Sequence, residues 1–92
     1  MQHEHPTLAQ LLDHLFKVRR HATGREYSYR EVAAATEGEV SYQAIYRIRT
    51  GTNDNPTYNT LMALCLFFQV SPSYFFPQLA EKQFPPLPRP GG

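Results

Sequence analysis

SYREVAAATEGEVSYQAIYRIRTG, residues 28–51, is the stretch of sequence that decides the fold. Ser28 and Glu31 form a capping box, in which the hydroxyl and the carboxylate each satisfy a free backbone N–H at a helix start. Ser41 is the next N-cap, opening a predicted helix over residues 42–49, and Gly51 is the expected stop after that helix. The stretch therefore predicts two short helices joined by a turn.

The second of these helices has two different faces. Ile45 and Ile48 lie at i, i+3 and are expected to face inward, while Gln43 and Arg47 are expected to face outward. Gln pairs bidentately with adenine and Arg with guanine in the major groove of duplex DNA. Small residues around Ala33 allow the first helix to brace the second. The pattern predicts a helix-turn-helix whose second helix reads DNA.

Further helices are predicted on both sides of this pair. Thr7 caps a helix with apolar residues at helical spacing, which is expected to end near Arg19 or Arg20. Thr57 caps a strongly apolar helix that contains the single cysteine, Cys65, which is expected to be buried. A last helix is predicted to start at Ser71-Pro72. The chain is expected to be all-α.

The two ends of the sequence differ in composition from its middle. Residues 1–6 are predicted to be a flexible leader, 7–82 the helix-turn-helix DNA-binding domain, and 83–92 a disordered tail rich in proline and glycine. The tail has Pro-x-x-Pro spacing at Pro85–Pro88, which suits extended peptide recognition. We favour the interpretation as a plain disordered tail.

Charge and composition narrow the class of function. The 92 residues carry a net charge of only +1, which argues against general coating of nucleic acid. Cationic residues nevertheless cluster in a basic flank, which we define as Lys17, Arg19, Arg20, Arg25 and Arg30. A nearly neutral chain with one basic flank fits a selective DNA binder.

Cellular location follows from what the sequence lacks. No apolar run approaches the ~20 residues of a membrane span, and the N-terminus shows no signal-peptide core. One cysteine cannot form an internal disulfide. We expect a cytoplasmic, nucleoid-associated protein.

Spaced motifs add a family resemblance that covers residues 8–76. They are Ser41-x-x-x-Ile45-x-x-Ile48-x-x-Gly51, Asn55-Pro56-Thr57, Leu61-x-x-Leu64 and Phe67-Phe68-x-Val70-Ser71-Pro72-x-Tyr74-Phe75. In this order they resemble the XRE/Cro (lambda-repressor-like) helix-turn-helix family, closest to its actinobacterial branch, which includes a mycobacterial secretion regulator. The resemblance implies a five-helix bundle, sequence-specific binding of double-stranded DNA and a homodimer on a palindromic site.

The same resemblance implies which residues touch DNA. Its base-reading positions fall on Tyr42, Gln43, Tyr46 and Arg47. Its phosphate contacts fall on Ser41, Thr52 and Asn53, and on Tyr29, which stands where many members have a phosphate-binding glutamine. Two cations complete the predicted phosphate set: Arg30 of the basic flank, and Arg49 at the end of the reading helix. The turn through residues 37–40 is about two residues longer than in the phage proteins.

Two functions remain open on these grounds. The first is a transcriptional regulator that represses by occupying a promoter. The alternative is a protein-interaction or antitoxin-like adaptor that reuses the fold, marked by an exposed aromatic patch on Tyr58, Tyr74 and Phe76. An enzyme is not expected, since no histidine relay or glycine-rich phosphate loop is present. No metal, cofactor, membrane partner or small-molecule substrate is expected.

Overall fold

A computed structural model describes residues 6–77 of the chain and shows an all-helical arrangement. Its elements are α1 (Leu8–Val18), α2 (Tyr29–Ala35), α3 (Tyr42–Arg49), α4 (Tyr58–Phe68) and a 3₁₀ helix (Pro72–Phe75). No strand occurs within these 72 residues, 6 to 77 inclusive. The all-α prediction is therefore confirmed. The predicted leader, apart from Pro6, and the predicted tail lie outside the described residues.

Each α-helix begins at a hydroxyl side chain. In every case the oxygen accepts a hydrogen bond from the backbone N–H three residues later, which satisfies one of the donors that a helix start leaves free. The four caps, all predicted from the sequence, are Thr7, Ser28, Ser41 and Thr57. The start of α1 is also a full capping box, because the Gln10 side chain accepts from the Thr7 N–H at 2.8 Å.

The core lies where α1, α2, α3 and α4 meet. Phe16 is fully buried there and makes edge-to-face contacts with Tyr29 (5.4 Å between centroids) and Phe68 (5.2 Å). Ile45 and Ile48 of α3 are fully buried in the same cluster. The predicted inward face of α3 is confirmed. Its burial against α1 and α2 sets which side of α3 is left for solvent.

The turn between α2 and α3 is held by its own contacts. The Thr36 hydroxyl donates to the Ala33 carbonyl at 2.8 Å and accepts from the Val40 N–H at 3.2 Å. Glu37 and Gly38 both have left-handed backbone, with φ of 57° and 84°. Val40 is buried and anchors the turn in the core. These contacts give the long turn one defined path into α3.

The last described element differs from the fifth helix that the family resemblance implied. In place of a fifth α-helix, the structure has a single 3₁₀ turn, Pro72–Phe75. Pro77 disfavours α conformation in the residue before it, and Phe76 accordingly has extended φ of −131°. The turn still closes the bundle: Phe75 is buried, and the Tyr74 hydroxyl donates to the Leu11 carbonyl at 2.7 Å.

Cys65 lies in this closed end of the core. It is buried on α4, as the sequence predicted, and burial raises the pKa of its thiol.

Candidate nucleic-acid interface

The outer face of α3 carries the four residues predicted to read bases. Gln43 and Arg47 are exposed, Tyr46 is 55% exposed, and Tyr42 is half-buried. Because α3 is anchored by its buried face, the backbone at these residues is held in place while their side chains extend from the outer face. This combination is what a groove-reading helix requires.

Six of the predicted DNA contacts line one open hollow on this face. The hollow has a volume of about 470 Å³, and its lining residues are Tyr29, Tyr42, Gln43, Tyr46, Arg47 and Thr52. The Tyr29 and Tyr46 rings meet edge-to-face at 6.1 Å. The surface therefore combines aromatic walls with amide, guanidinium and hydroxyl groups, which can contact a base edge, a methyl group or a phosphate.

Arg30 joins this surface from α2. Its guanidinium lies over the Tyr42 ring, 4.3 Å from the centroid. A cation–π contact orients a guanidinium and leaves its edge donors available for an anion. Arg30 is therefore held beside the hollow, where the sequence predicted a phosphate contact.

Ser41 and Asn53 flank the hollow at the two ends of α3. The Ser41 oxygen accepts from the Ala44 N–H at 3.1 Å, so its own O–H remains as a possible donor to a phosphate. The Asn53 N–H donates to the Arg47 carbonyl at 2.9 Å, and its Oδ1 accepts from the Asn55 N–H at 2.9 Å. Its Nδ2 is the half of the amide suited to an anion.

Arg49 lies in a different environment from the one predicted. Its side chain is 17% exposed, and Nη2 lies 2.8 Å from Asp13 Oδ1 and 3.1 Å from Glu26 Oε1. The guanidinium also lies over the Phe16 ring, 4.6 Å from its centroid. A phosphate approaching Arg49 would meet two carboxylates that already balance its charge. The structure thus favours a structural role, in which Arg49 ties the end of α3 to α1 and to the loop before α2.

The charges in this cluster stabilise each other. Hydrogen bonds from Lys17 and then from Arg49 lower the pKa of Asp13 below its ordinary value. Burial opposes ionisation of Arg49, but its hydrogen bonds to Asp13 and Glu26 outweigh that effect and raise its pKa. Sequence reasoning missed both acids, because they lie 36 and 23 residues from Arg49 and no local pattern links them.

The basic flank does not form one continuous surface. Arg25 makes a two-pronged ion pair with Glu31, with both N–O distances at 2.8 Å. Arg20 donates to the Lys17 and Gly24 carbonyls. Arg19 and Arg20 line a separate groove, and Arg30 is the flank residue that contacts α3. The predicted flank therefore contributes one cation to the candidate interface.

The three aromatic residues predicted to form an adaptor's binding patch, Tyr58, Tyr74 and Phe76, differ in their exposure. Tyr58 is 74% exposed at the start of α4, and Phe76 is exposed after the 3₁₀ turn. Tyr74 is half-buried and uses its hydroxyl to close the bundle. Two of the three are thus available to a partner.

Two further features are absent from residues 6–77. No helix in that range is long and apolar enough to cross a membrane. Over the same range, no three His, Cys, Asp or Glu side chains are grouped closely enough to hold a metal ion.

Comparison with known proteins agrees with this geometry. No curated protein matches the chain. A family model described as "Helix-turn-helix" matches residues 22–75, which include α2, the turn, α3, α4 and the 3₁₀ helix. The match covers more than half of the sequence, and the chain therefore belongs to the XRE-type helix-turn-helix family of DNA-binding transcription regulators.

Proposed function

We propose that the protein binds double-stranded DNA sequence-specifically, with α3 in the major groove. The observation that carries the proposal is the hollow on the outer face of α3, where six predicted contacts converge. The opposite face of α3 is fully buried through Ile45 and Ile48. A helix fixed on one side and chemically varied on the other can present the same donors and acceptors to successive duplexes, which is the basis of direct readout.

Each base-reading residue has a distinct task. Gln43 pairs with adenine through its amide, and Arg47 pairs with guanine through two parallel N–H donors. Tyr46 and Tyr42 present ring edges to a thymine methyl and hydroxyls to a base or phosphate. Their positions along α3 follow from its helical spacing, since 42–43 and 46–47 are four residues apart and share one face.

The phosphate contacts surround this reading surface. They fix the register of α3 and carry no sequence information of their own. The proposed set is Ser41, Thr52, Asn53, Tyr29 and Arg30. Arg49 is left out, because its guanidinium is already paired with Asp13 and Glu26.

Regulation and assembly extend the proposal. We infer a cytoplasmic repressor that acts by occupying a promoter as a homodimer, with two α3 helices about 34 Å apart on a palindromic site. We also propose that the chain belongs to the actinobacterial branch of the family. Selection of bound duplexes from a random pool should return a palindrome, and light scattering of the complex should give two chains per duplex. A single half-site bound by one chain would contradict the dimer.

The decisive test compares two exposed arginines. Arg47→Ala should weaken binding to the selected duplex by about 1–3 kcal/mol and relax preference at one base position. Arg19→Ala is the matched control, because Arg19 lines a groove beside Tyr27 and Phe67, away from the hollow. Fluorescence anisotropy with selected and scrambled duplexes measures both. Equal losses for the two variants, or no loss for Arg47→Ala, would mean that α3 is not the reading helix.

The adaptor function remains the second candidate, favoured by the exposure of Tyr58 and Phe76. Salt concentration separates the two functions. DNA binding should weaken between 50 and 200 mM salt, by roughly tenfold for the two Arg30–phosphate contacts of a dimer, whereas binding to an apolar protein surface should not.

A further inference from the structure

A second open surface lies between the turn after α2 and the side of α4. This groove has a volume of about 500 Å³. Its walls include Ala35, Glu37, Glu39, Met62, Leu66 and Phe67. Leu66, in the last turn of α4, is 74% exposed and lines this groove beside Met62 and Phe67, so the apolar surface there is contiguous. The groove is apolar along α4 and acidic along the turn.

The acidic rim argues against DNA as the occupant. Glu37 and Glu39 are both exposed and would repel a phosphate backbone. The groove is also separate in its lining residues from the hollow on α3. Its occupant should instead be apolar with a positive charge at one side.

The chain's own residues 84–89, Phe-Pro-Pro-Leu-Pro-Arg, have this chemistry. Proline-rich sequence favours the polyproline II helix, which has three residues per turn. Phe84 and Leu87 would then project from one side, toward Leu66 and Phe67. Arg89 would follow beside the glutamates of the turn. Preformed polyproline segments dock in apolar grooves at low entropic cost.

The intervening chain is long enough to reach. Residues 78–83 separate Pro77 from Phe84, and seven Cα steps of extended chain span about 23–25 Å. The α4 helix, which contacts the 3₁₀ turn that precedes Pro77, has 11 residues and is about 16 Å long. This tether is longer than α4 itself, and the groove residues Leu66 and Phe67 lie in the last turn of α4, where the chain turns toward the 3₁₀ helix.

We propose that residues 84–89 dock in the groove between α4 and the α2–α3 turn of their own chain. Phe84 and Leu87 cover Leu66, and Arg89 pairs with Glu37 or Glu39. The docked tail would rest on the turn that leads into α3, away from the proposed DNA-reading face. This inference does not depend on the proposed function, because the groove and the hollow use different residues.

Fluorescence tests the docking in the full chain. The chain contains no tryptophan, so Leu87→Trp introduces a single reporter on the face expected to enter the groove. Its emission should be shifted to the blue, and its acrylamide quenching constant should be lower by about twofold or more than that of Gly92→Trp, because burial removes the ring from water. Solvent-like emission and equal quenching at both positions would overturn the proposal.

Two exposed residues of α4 provide a matched pair. Leu66→Ser in the Leu87→Trp chain should abolish the blue shift, since it removes the apolar wall. Tyr58→Ser should preserve the shift, because Tyr58 is equally exposed on the same helix but does not line the groove. Far-ultraviolet circular dichroism verifies that both variants fold. Retention of the shift in Leu66→Ser, or its loss in both variants, would contradict docking at this groove.

A charge reversal tests the acidic rim without altering the groove's apolar wall. Arg89→Glu should weaken the protection of Trp at position 87, and the added change Glu39→Arg should restore it. The protection should not vary with protein concentration. Protection that rises with concentration, together with a dimer in light scattering, would assign the tail to a second copy and overturn docking within one chain.

Discussion

The helix-turn-helix and α4 share one apolar core but differ in their charged contacts. The end of α3 is fixed by charged groups, since Arg49 joins Asp13 and Glu26, and the start of α2 is fixed by the Arg25–Glu31 pair. In contrast, α4 has no charged residue and is fixed by buried Leu64, Cys65 and Phe68. Both helices are anchored by buried apolar side chains, and the paired charges add directional contacts at the ends of α3 and α2. The comparison indicates that α3, the proposed reading helix, is oriented by these ion pairs in addition to its core contacts.

The largest expected effect tests the part that both regions share. Ile48→Ala should lower the free energy of unfolding by about 2–5 kcal/mol, because Ile48 is fully buried and its loss leaves a cavity. Tyr58→Ala on α4 should change it by less than about 0.5 kcal/mol, since that tyrosine is exposed and does not line the groove beside α4. Urea denaturation measures both. If Ile48→Ala does not fold, Ile48→Val should still cost about 0.5–1.5 kcal/mol. Similar losses at the two sites would refute the assigned faces.

The next effect tests the charged tether directly. Arg49→Met should lower the free energy of unfolding by about 1–3 kcal/mol, because it leaves Asp13 and Glu26 without their shared donor. Arg47→Met, two residues earlier and exposed, should leave stability unchanged while weakening DNA binding. Combining Arg49→Met with Asp13→Asn should cost less than the sum of the single changes. Additive losses would show that the pair does not act as a unit.

Low pH should destabilise the helix-turn-helix because Glu31 becomes protonated. Its hydrogen bonds from Arg25 and from the Ser28 N–H lower its pKa from 4.5 to about 2. A lowered folded-state pKa means that this contribution is complete above about pH 4.5 and is lost as pH falls toward 2. Urea midpoints should therefore drop less between pH 5 and pH 2 in Glu31→Gln than in the parent chain. Parallel curves would exclude a role for this carboxylate.

The smallest effect concerns a feature that both regions have. Glu37 in the turn and Gln69 at the end of α4 have left-handed φ of 57° and 58°. Replacing either by glycine should raise the free energy of unfolding by about 0.5–1 kcal/mol, as strain relief exceeds the added chain entropy. Thermal melting of the two variants measures it. A loss at Glu37 alone would show that its side chain supports the turn.

Local signals in the sequence predicted the helices well. Hydroxyl caps and apolar spacing act over four residues or fewer, and the predicted helix at 42–49 has the observed bounds. The outward placement of Gln43 and Arg47 follows from the same periodicity. A cap or a period can be read from a single sequence because its physical cause is contained within one helical turn.

Contacts between distant residues could not be predicted in this way. Arginine is a residue type that often contacts phosphate, which is why Arg49 was predicted to do so. Its pairing with Asp13 depends instead on how α1 crosses α3. Packing geometry decides such contacts, and residue spacing along the chain does not encode it.

The hydrogen bond from Tyr74 to Leu11 has a consequence for synthesis. Its partners are 63 residues apart, so at roughly 5–20 residues per second the ribosome adds Tyr74 about 3–13 seconds after Leu11. During that interval α1 can pack against Tyr29 and Phe68, but its contact with the 3₁₀ turn cannot form. Chaperones that bind nascent chains therefore have the longest time to act on α1. Chains truncated before Tyr74 should be degraded quickly in pulse proteolysis.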